Sequence, residues 1–104
     1  MKKLSEYLFI DPYPVTGDGE IKILYKGKLT VSRQNKLFVY YGYGRDLVWN
    51  YVDQRQMEGS SQGFLATIKV RGNDQLNICF HDDQGHWDNN KGRNWSLIIS
   101  KKGC

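Results

Sequence analysis

At 104 residues the chain has room for one domain with an ordinary core, and 39% hydrophobic content with 25% charged residues excludes a disordered segment. Eleven glycines, 13% aromatic residues and no long runs of Ala, Leu, Glu and Lys favour a β protein rich in turns. The net charge of +4 raises nucleic acid as a partner, but the 15 Lys and Arg lie among 11 acids and the densest cluster, Lys22, Lys26 and Lys28, is small. The excess is read as serving solubility, and no nucleic-acid partner is expected.

Residues 1–19 read as an N-terminal arm or lead-in to a module over residues 20–104. The opening Met1-Lys2-Lys3 is followed at once by Glu6 and a short apolar run at 7–10, too short for the core of a signal peptide. No segment approaches a membrane span, so no membrane partner is expected, and a complete chain of this kind is expected in the cytoplasm. Residues 7–10 suit a short strand packing on the body. Asp11-Pro12-Tyr13-Pro14 interrupts regular structure, because each proline lacks an amide proton and restricts its predecessor.

Ile21, Ile23 and Tyr25 alternate, which makes residues 20–25 a strand with one buried face. Lys26-Gly27-Lys28 is a turn, Leu29-Thr30-Val31 a short strand and 32–35 another turn. In the strand at 36–43, Leu37, Val39 and Tyr41 take one face, and Phe38 and Tyr40 the other. The polar stretch 45–59 carries Trp49, Asn50, Tyr51 and Met57 without a sustained period, and reads as a long binding loop. Alternation returns at 63–70, with Phe64, Ala66, Ile68 and Val70 inward. Gly72-Asn73-Asp74 signals a hairpin, and Leu76, Ile78 and Phe80 form the next inward face. A polar loop at 81–93 leads to the last strand, with Trp95, Leu97 and Ile99 in phase, and Lys101-Lys102-Gly103 is a solvated tail. Six or seven short strands at this spacing predict an antiparallel β-sandwich.

Catalytic chemistry finds little to build on. The two histidines, His81 and His86, match no zinc spacing, and strand phase puts His81 on the outer side. Asp53, Glu58, Asp82 and Asp88 are carboxylates with nothing to single out a glycosidase pair. No GxSxG, Walker or dinucleotide fingerprint occurs. The expectation is that the chain is not an enzyme and needs no cofactor. Calcium is the one ion that the oxygens of Asp82, Asp83, Asp88 and Asn90 suit, without the EF-hand order. Cys79, inside a strand, and the terminal Cys104 make no disulfide framework.

Aromatic residues in polar surroundings carry the stronger signal. Trp87-Asp88-Asn89-Asn90-Lys91-Gly92-Arg93-Asn94-Trp95 sets a ring, a carboxylate and amides in one turn. Trp49 lies in another polar stretch, and Tyr40 faces outward. A flat apolar ring beside donors and acceptors suits a sugar, which has a C–H face and a rim of hydroxyls. Asp and Asn are also ordinary turn formers, so Asp88, Asn89 and Asn90 are open to either role.

These residues resemble the starch- and glycogen-binding carbohydrate-binding modules of families 25 and 53. The resemblance rests on Trp87-Asp88-Asn89-Asn90 with Gly92, Asn94 and Trp95, on the strand from Leu76 to Phe80 with Asp82 and Asp83, and on Val39-Tyr40-Tyr41-Gly42 followed by Trp49 and Met57. It covers about residues 20–100. It implies an immunoglobulin-like sandwich that binds α-1,4-glucans (starch, glycogen, maltooligosaccharides) without catalysis. Trp49 and Trp87 would be the stacking platform and Asp88, Asn89 and Asn90 the flanking partners. Tyr40 stands where the family often has a histidine. As a module of a secreted enzyme the chain would be extracellular and joined to a glycoside hydrolase or other catalytic domain. The alternative function is a protein-interaction sandwich using the same aromatic loops.

Overall fold

The computed structural model describes residues 2–17, 19–30, 36–45, 49–71 and 75–100. The chain is all-β, two sheets packed face to face, with no α-helix among the described residues. The strands are β1 (Lys2–Ser5), β2 (Leu8–Asp11), β3 (Val15–Thr16), β4 (Glu20–Tyr25), β5 (Leu37–Tyr43), β6 (Asn50–Gln56), β7 (Glu58–Ser60), β8 (Gly63–Lys69), β9 (Gln75–Asp82), β10 (Trp87–Asp88) and β11 (Trp95–Ser100). The first sheet runs β1-β2-β4-β8-β7. The second runs β3-β11-β9-β5-β6, with β10 also pairing with β9. No helix among the described residues is long and apolar enough to cross a membrane.

Period-two alternation sets which faces meet. Ile21, Ile23 and Tyr25 of β4 lie beside Ile68, Ala66 and Phe64 of β8, and all six are buried. Across from them lie Leu37, Val39 and Tyr41 of β5, Leu76, Ile78 and Phe80 of β9, and Trp95, Leu97 and Ile99 of β11, also buried. The expected strands over these residues form with the expected inward faces. The lead-in supplies strands to both sheets. Leu8 and Ile10 are fully buried in β2 against β4, and Val15 is fully buried in β3 beside β11.

Three expectations change. The stretch 45–59 is not one loop: β6 and β7 occupy Asn50–Gln56 and Glu58–Ser60. All seven residues of β6 are exposed, so no apolar alternation marks this edge strand, and its backbone pairing with β5 decides its form. Residues 28–30 form a 3-10 turn rather than the start of a strand, with Thr30 N–H donating to Gly27 O at 3.1 Å. The hairpin signal at 72–74 lies outside the described residues, and the strands on either side, β8 and β9, belong to different sheets and do not pair. Val31, the turn at 32–35, Cys104 and the tail at 101–103 also lie outside the described residues.

Tyr25 ties the two sheets at one end. Its ring stacks on Phe80 at 4.1 Å between centroids and meets Trp95 edge-on at 6.5 Å. Its hydroxyl donates to the Asp88 carboxylate and accepts from the Leu29 amide at 3.3 Å. Gly27 makes room for the phenol: a Cβ there would lie 2.4 Å from the ring. Burial, then the hydrogen bond to Asp88, raises the Tyr25 pKa above the ordinary 10.0.

Tyr25→Phe leaves Asp88 buried without this donor, and a buried group deprived of its partner costs about 1–3 kcal/mol. Urea unfolding at neutral pH is expected to show a loss in that range, and a change under about 0.5 kcal/mol would contradict the role assigned to the hydroxyl. The raised pKa also has a pH consequence. The folded state keeps a proton that the unfolded chain releases near pH 10, so this stabilisation is complete below pH 10 and falls as pH rises. The variant is expected to lose less stability above pH 10 than the parent.

Candidate functional site

The outward residues of the second sheet form a continuous aromatic surface. In β5 these are Phe38, Tyr40 and Gly42, and their neighbours on β9 are His81, Cys79 and Asn77. On the other side of His81 lies Trp87 of β10. The His81 imidazole is therefore stacked between two rings, Phe38 at 5.0 Å and 16° and Trp87 at 4.4 Å and 27°. Tyr40 meets Trp87 edge-on at 5.6 Å and leans on Trp49 at 5.7 Å. Trp87 remains 48% exposed.

Trp49 reaches this surface because Gly42 has no side chain. A Cβ at Gly42 would lie 2.9 Å from Cε3 of the Trp49 indole, 3.2 Å from Val52 and 3.3 Å from the Asn50 carbonyl. The ladder is irregular at the same point. Tyr41 pairs with Asp53 and Tyr43 with Asn50, so the one residue Gly42 faces two, Tyr51 and Val52. This is a β-bulge, a device that bends a strand and re-aims its side chains.

His81 Nε2 lies 2.9 Å from the Gln54 side-chain amide and Nδ1 3.3 Å from the Asp82 carbonyl, so the ring is held at both nitrogens. Cys79 is buried on the same face, and burial, then the charge of Asp88, pushes its thiol up to about 11. It is held as a neutral thiol at physiological pH.

The candidate residues divide into two groups. Tyr40, Trp49 and Trp87 come together. Asp88 follows Trp87 in a strand, so its side chain points the opposite way, into the sandwich, where it is 8% exposed and bound to Tyr25 and to the Asn90 amide at 3.3 Å. It holds the fold rather than the outer face.

Asn89 Oδ1 accepts from Gly92 N–H at 3.0 Å, and Asn90 Nδ2 donates to the Asn94 carbonyl at 3.1 Å. Asn90, Lys91, Gly92 and Asn94 have φ of 55°, 57°, 87° and 56°. Asn and Gly are the residues that take this left-handed backbone most readily, which explains their density here. Asp88, Asn89 and Asn90 line a separate groove of about 520 Å³ with Lys26, Lys28 and Lys91.

Sequence reasoning placed Phe38 outward but did not enlist it, and set His81 aside as a weak metal ligand. The register Phe38↔His81 makes them partners, and outward phase was the available signal. Gln54 had none, because β6 carries no apolar alternation. Among the described residues no three His, Cys, Asp or Glu come together to hold a metal ion. The acidic loop spends its oxygens largely on backbone amides instead. Asp83 Oδ1 accepts from the Lys36 amide at 3.2 Å, and Asp82 accepts from the amides of Gln84 and His86, both at 2.9 Å, and approaches His86 Nδ1 at 2.9 Å. No family model, curated protein or solved structure matches the chain.

Two predictions follow from these contacts. Gly42→Ala is expected to displace Trp49 from Tyr40, shifting tryptophan emission to the red while far-UV circular dichroism stays unchanged; unaltered emission would contradict the docking. The second concerns acid. Burial works to raise the Asp82 carboxyl, but the His86 amide and ring and the Gln84 amide outweigh it and hold it down at about 2, against an ordinary 3.8. Its stabilisation is complete above pH 3.8 and is lost as pH falls through about 2. Asp82→Asn is expected to flatten this part of the acid unfolding curve, and a curve superimposable on the parent's would exclude the role.

Proposed function

We propose that the chain is a non-catalytic, immunoglobulin-like glucan-binding module, taking α-1,4-glucans on the outer face of its second sheet. The observation that carries this reading is the convergence of Tyr40, Trp49 and Trp87 on one outer aromatic surface, with Trp87 exposed and the other two rings half-buried beside it. Indole and phenol faces remove the C–H face of a glucose ring from water. Rings inclined to one another, 35° between Tyr40 and Trp49 and 82° between Tyr40 and Trp87, suit a curved chain better than a flat one. The side-chain amide of Gln54 supplies a hydroxyl partner beside them.

His81 gives further support. Tyr40 replaces the histidine that the resembling modules often carry before their Tyr-Gly pair, and here a histidine reaches the same surface from the neighbouring strand. Asp88 drops out of the ligand set and becomes the residue that orients Trp87. A shallow, open surface of this kind gives modest affinity per site, which many sites on one polysaccharide multiply.

Native gels containing glycogen, soluble starch or a β-glucan test the reading. Retardation by the two α-glucans and not by the β-glucan is expected. Truncating a central aromatic anchor typically costs about 2 kcal/mol or more. Trp49→Ala and Trp87→Ala are therefore each expected to weaken binding by roughly tenfold or more with the fold intact. Retardation by none of the three polymers would overturn the glucan reading and favour a surface for a protein partner. Unchanged binding in both variants would overturn the site.

A further inference from the structure

The bulge that sends Trp49 outward also shapes a second cavity, on the inner side of the edge strand. The first sheet ends at β7 and the second at β6. Between β6 and the end of β8 lies a cleft of about 400 Å³. Arg55, Lys69 and Arg71 line it with one carboxylate, Asp53, and its floor carries the buried Tyr41 and Tyr43.

An edge strand commonly carries charge to prevent pairing with another chain, and two or three solvated side chains would serve that end. This cleft has more order than that end requires. The Tyr43 hydroxyl accepts from the Arg71 amide at 3.0 Å and donates to the Lys69 carbonyl at 3.4 Å, fixing the backbone that carries both cations. Arg55 lines the cleft with Tyr41, and its charge works against the burial and the Asp53 charge that raise the Tyr41 pKa. Asp53 accepts from the Gln54 amide at 2.8 Å, and among the described residues Arg55, Lys69 and Arg71 form no ion pair. The cations converge from both sheets and outnumber the acid three to one, in a concave site where low-dielectric walls concentrate their field.

Tyr51 stands at the same cleft, 79% exposed, with φ at 52°. An aromatic residue rarely adopts this backbone, and such conformations cluster at functional sites. The left-handed turn is the extra residue of the bulge, and it sets an exposed phenol ring at the cleft that Arg55 and Arg71 also line.

We infer that this cleft binds a phosphate monoester carried on a ring. Arginine forks match phosphate oxygens in bidentate fashion, Lys69 adds a compact positive charge, and Tyr51 offers a face for the attached ring. The site shares no side chain with the aromatic platform and does not depend on the glucan reading. A phosphosugar and a nucleoside monophosphate present the same chemistry, and the experiment separates them.

The arginine Nε–Hε resonances of 15N-labelled protein would be followed at constant ionic strength. The titrants are inorganic phosphate, glucose 6-phosphate and adenosine monophosphate, with glucose as the neutral control. Saturable shifts with the three phosphates and none with glucose are expected. The ring-bearing ligand that fits, sugar or nucleoside, is expected to bind more tightly than inorganic phosphate.

The double substitution R55Q/R71Q is expected to weaken binding at least tenfold with its near-UV circular dichroism intact. Tyr51→Ala is expected to erase the advantage of the ring-bearing ligand, and Trp87→Ala to bind phosphate as the parent does. Non-saturating shifts, or shifts matched by sodium chloride, would overturn the proposal. So would unchanged titration of R71Q and R55Q/R71Q. Because Trp87→Ala tests the platform alone, failure here and failure of glucan binding are distinguishable.

Discussion

The hydroxyl of Tyr25 bound to the carboxylate of Asp88 is the constraint on which the outer aromatic surface depends. Tyr25 belongs to the first sheet and Asp88 to the short strand at the edge of the second. Their bond draws β10 against β9, and the phenol is itself fixed by Phe80, by Trp95 and by a turn that only glycine at position 27 allows. With Asp88 committed inward, strand alternation leaves Trp87 one place to go, the outer face. There it meets His81 at stacking distance. A polar contact inside the sandwich thus fixes the aim of an aromatic ring outside it.

The same economy appears at the other end of the platform. One missing side chain at Gly42 and one extra residue on β6 produce two results. Trp49 settles over the glycine on the outer face, and Tyr51 is turned into a left-handed conformation at the inner cleft. Edge strands are the usual place for such irregularity, because only one side of their ladder must be satisfied. The outer face becomes neutral and aromatic, the inner cleft cationic, and one bulge separates them. Interiors are too closely packed to permit this much local rearrangement, which is why the bulge sits on the edge strand β6.

Legibility in the sequence followed the strength of the apolar period. Ile21, Ile23 and Tyr25, or Leu76, Ile78 and Phe80, state both the strand and its inward face, and the structure has them so. β6 is invisible by the same logic, since every residue from Asn50 to Gln56 is exposed and only hydrogen bonding to β5 makes it a strand. Residues 28–30 misled because Leu and Thr suit a strand locally, while the Tyr25 hydroxyl and the Gly27 carbonyl capture the amides of Leu29 and Thr30. At the platform, Tyr40, Trp49 and Trp87 stood out as rings in polar surroundings. His81 and Gln54 did not, since their importance lies in cross-strand register, which a single strand does not reveal. Asp88 and Asn90 were ambiguous for a physical reason: the same side chains that bind hydroxyls also cap turns, and here the turn holds them.

On the proposed glucan reading, two of the three tryptophans meet the ligand and the third does not. Trp95 is an internal reference, 7% exposed, with its indole N–H bound to Ser5 at 3.2 Å. Indole N–H resonances of 15N-labelled protein titrated with maltoheptaose test this most directly. The account predicts saturable shifts at Trp49 and Trp87 with a common dissociation constant, and a Trp95 signal that stays in place. Uniform shifts across all three indoles, or none at any of them, would contradict it.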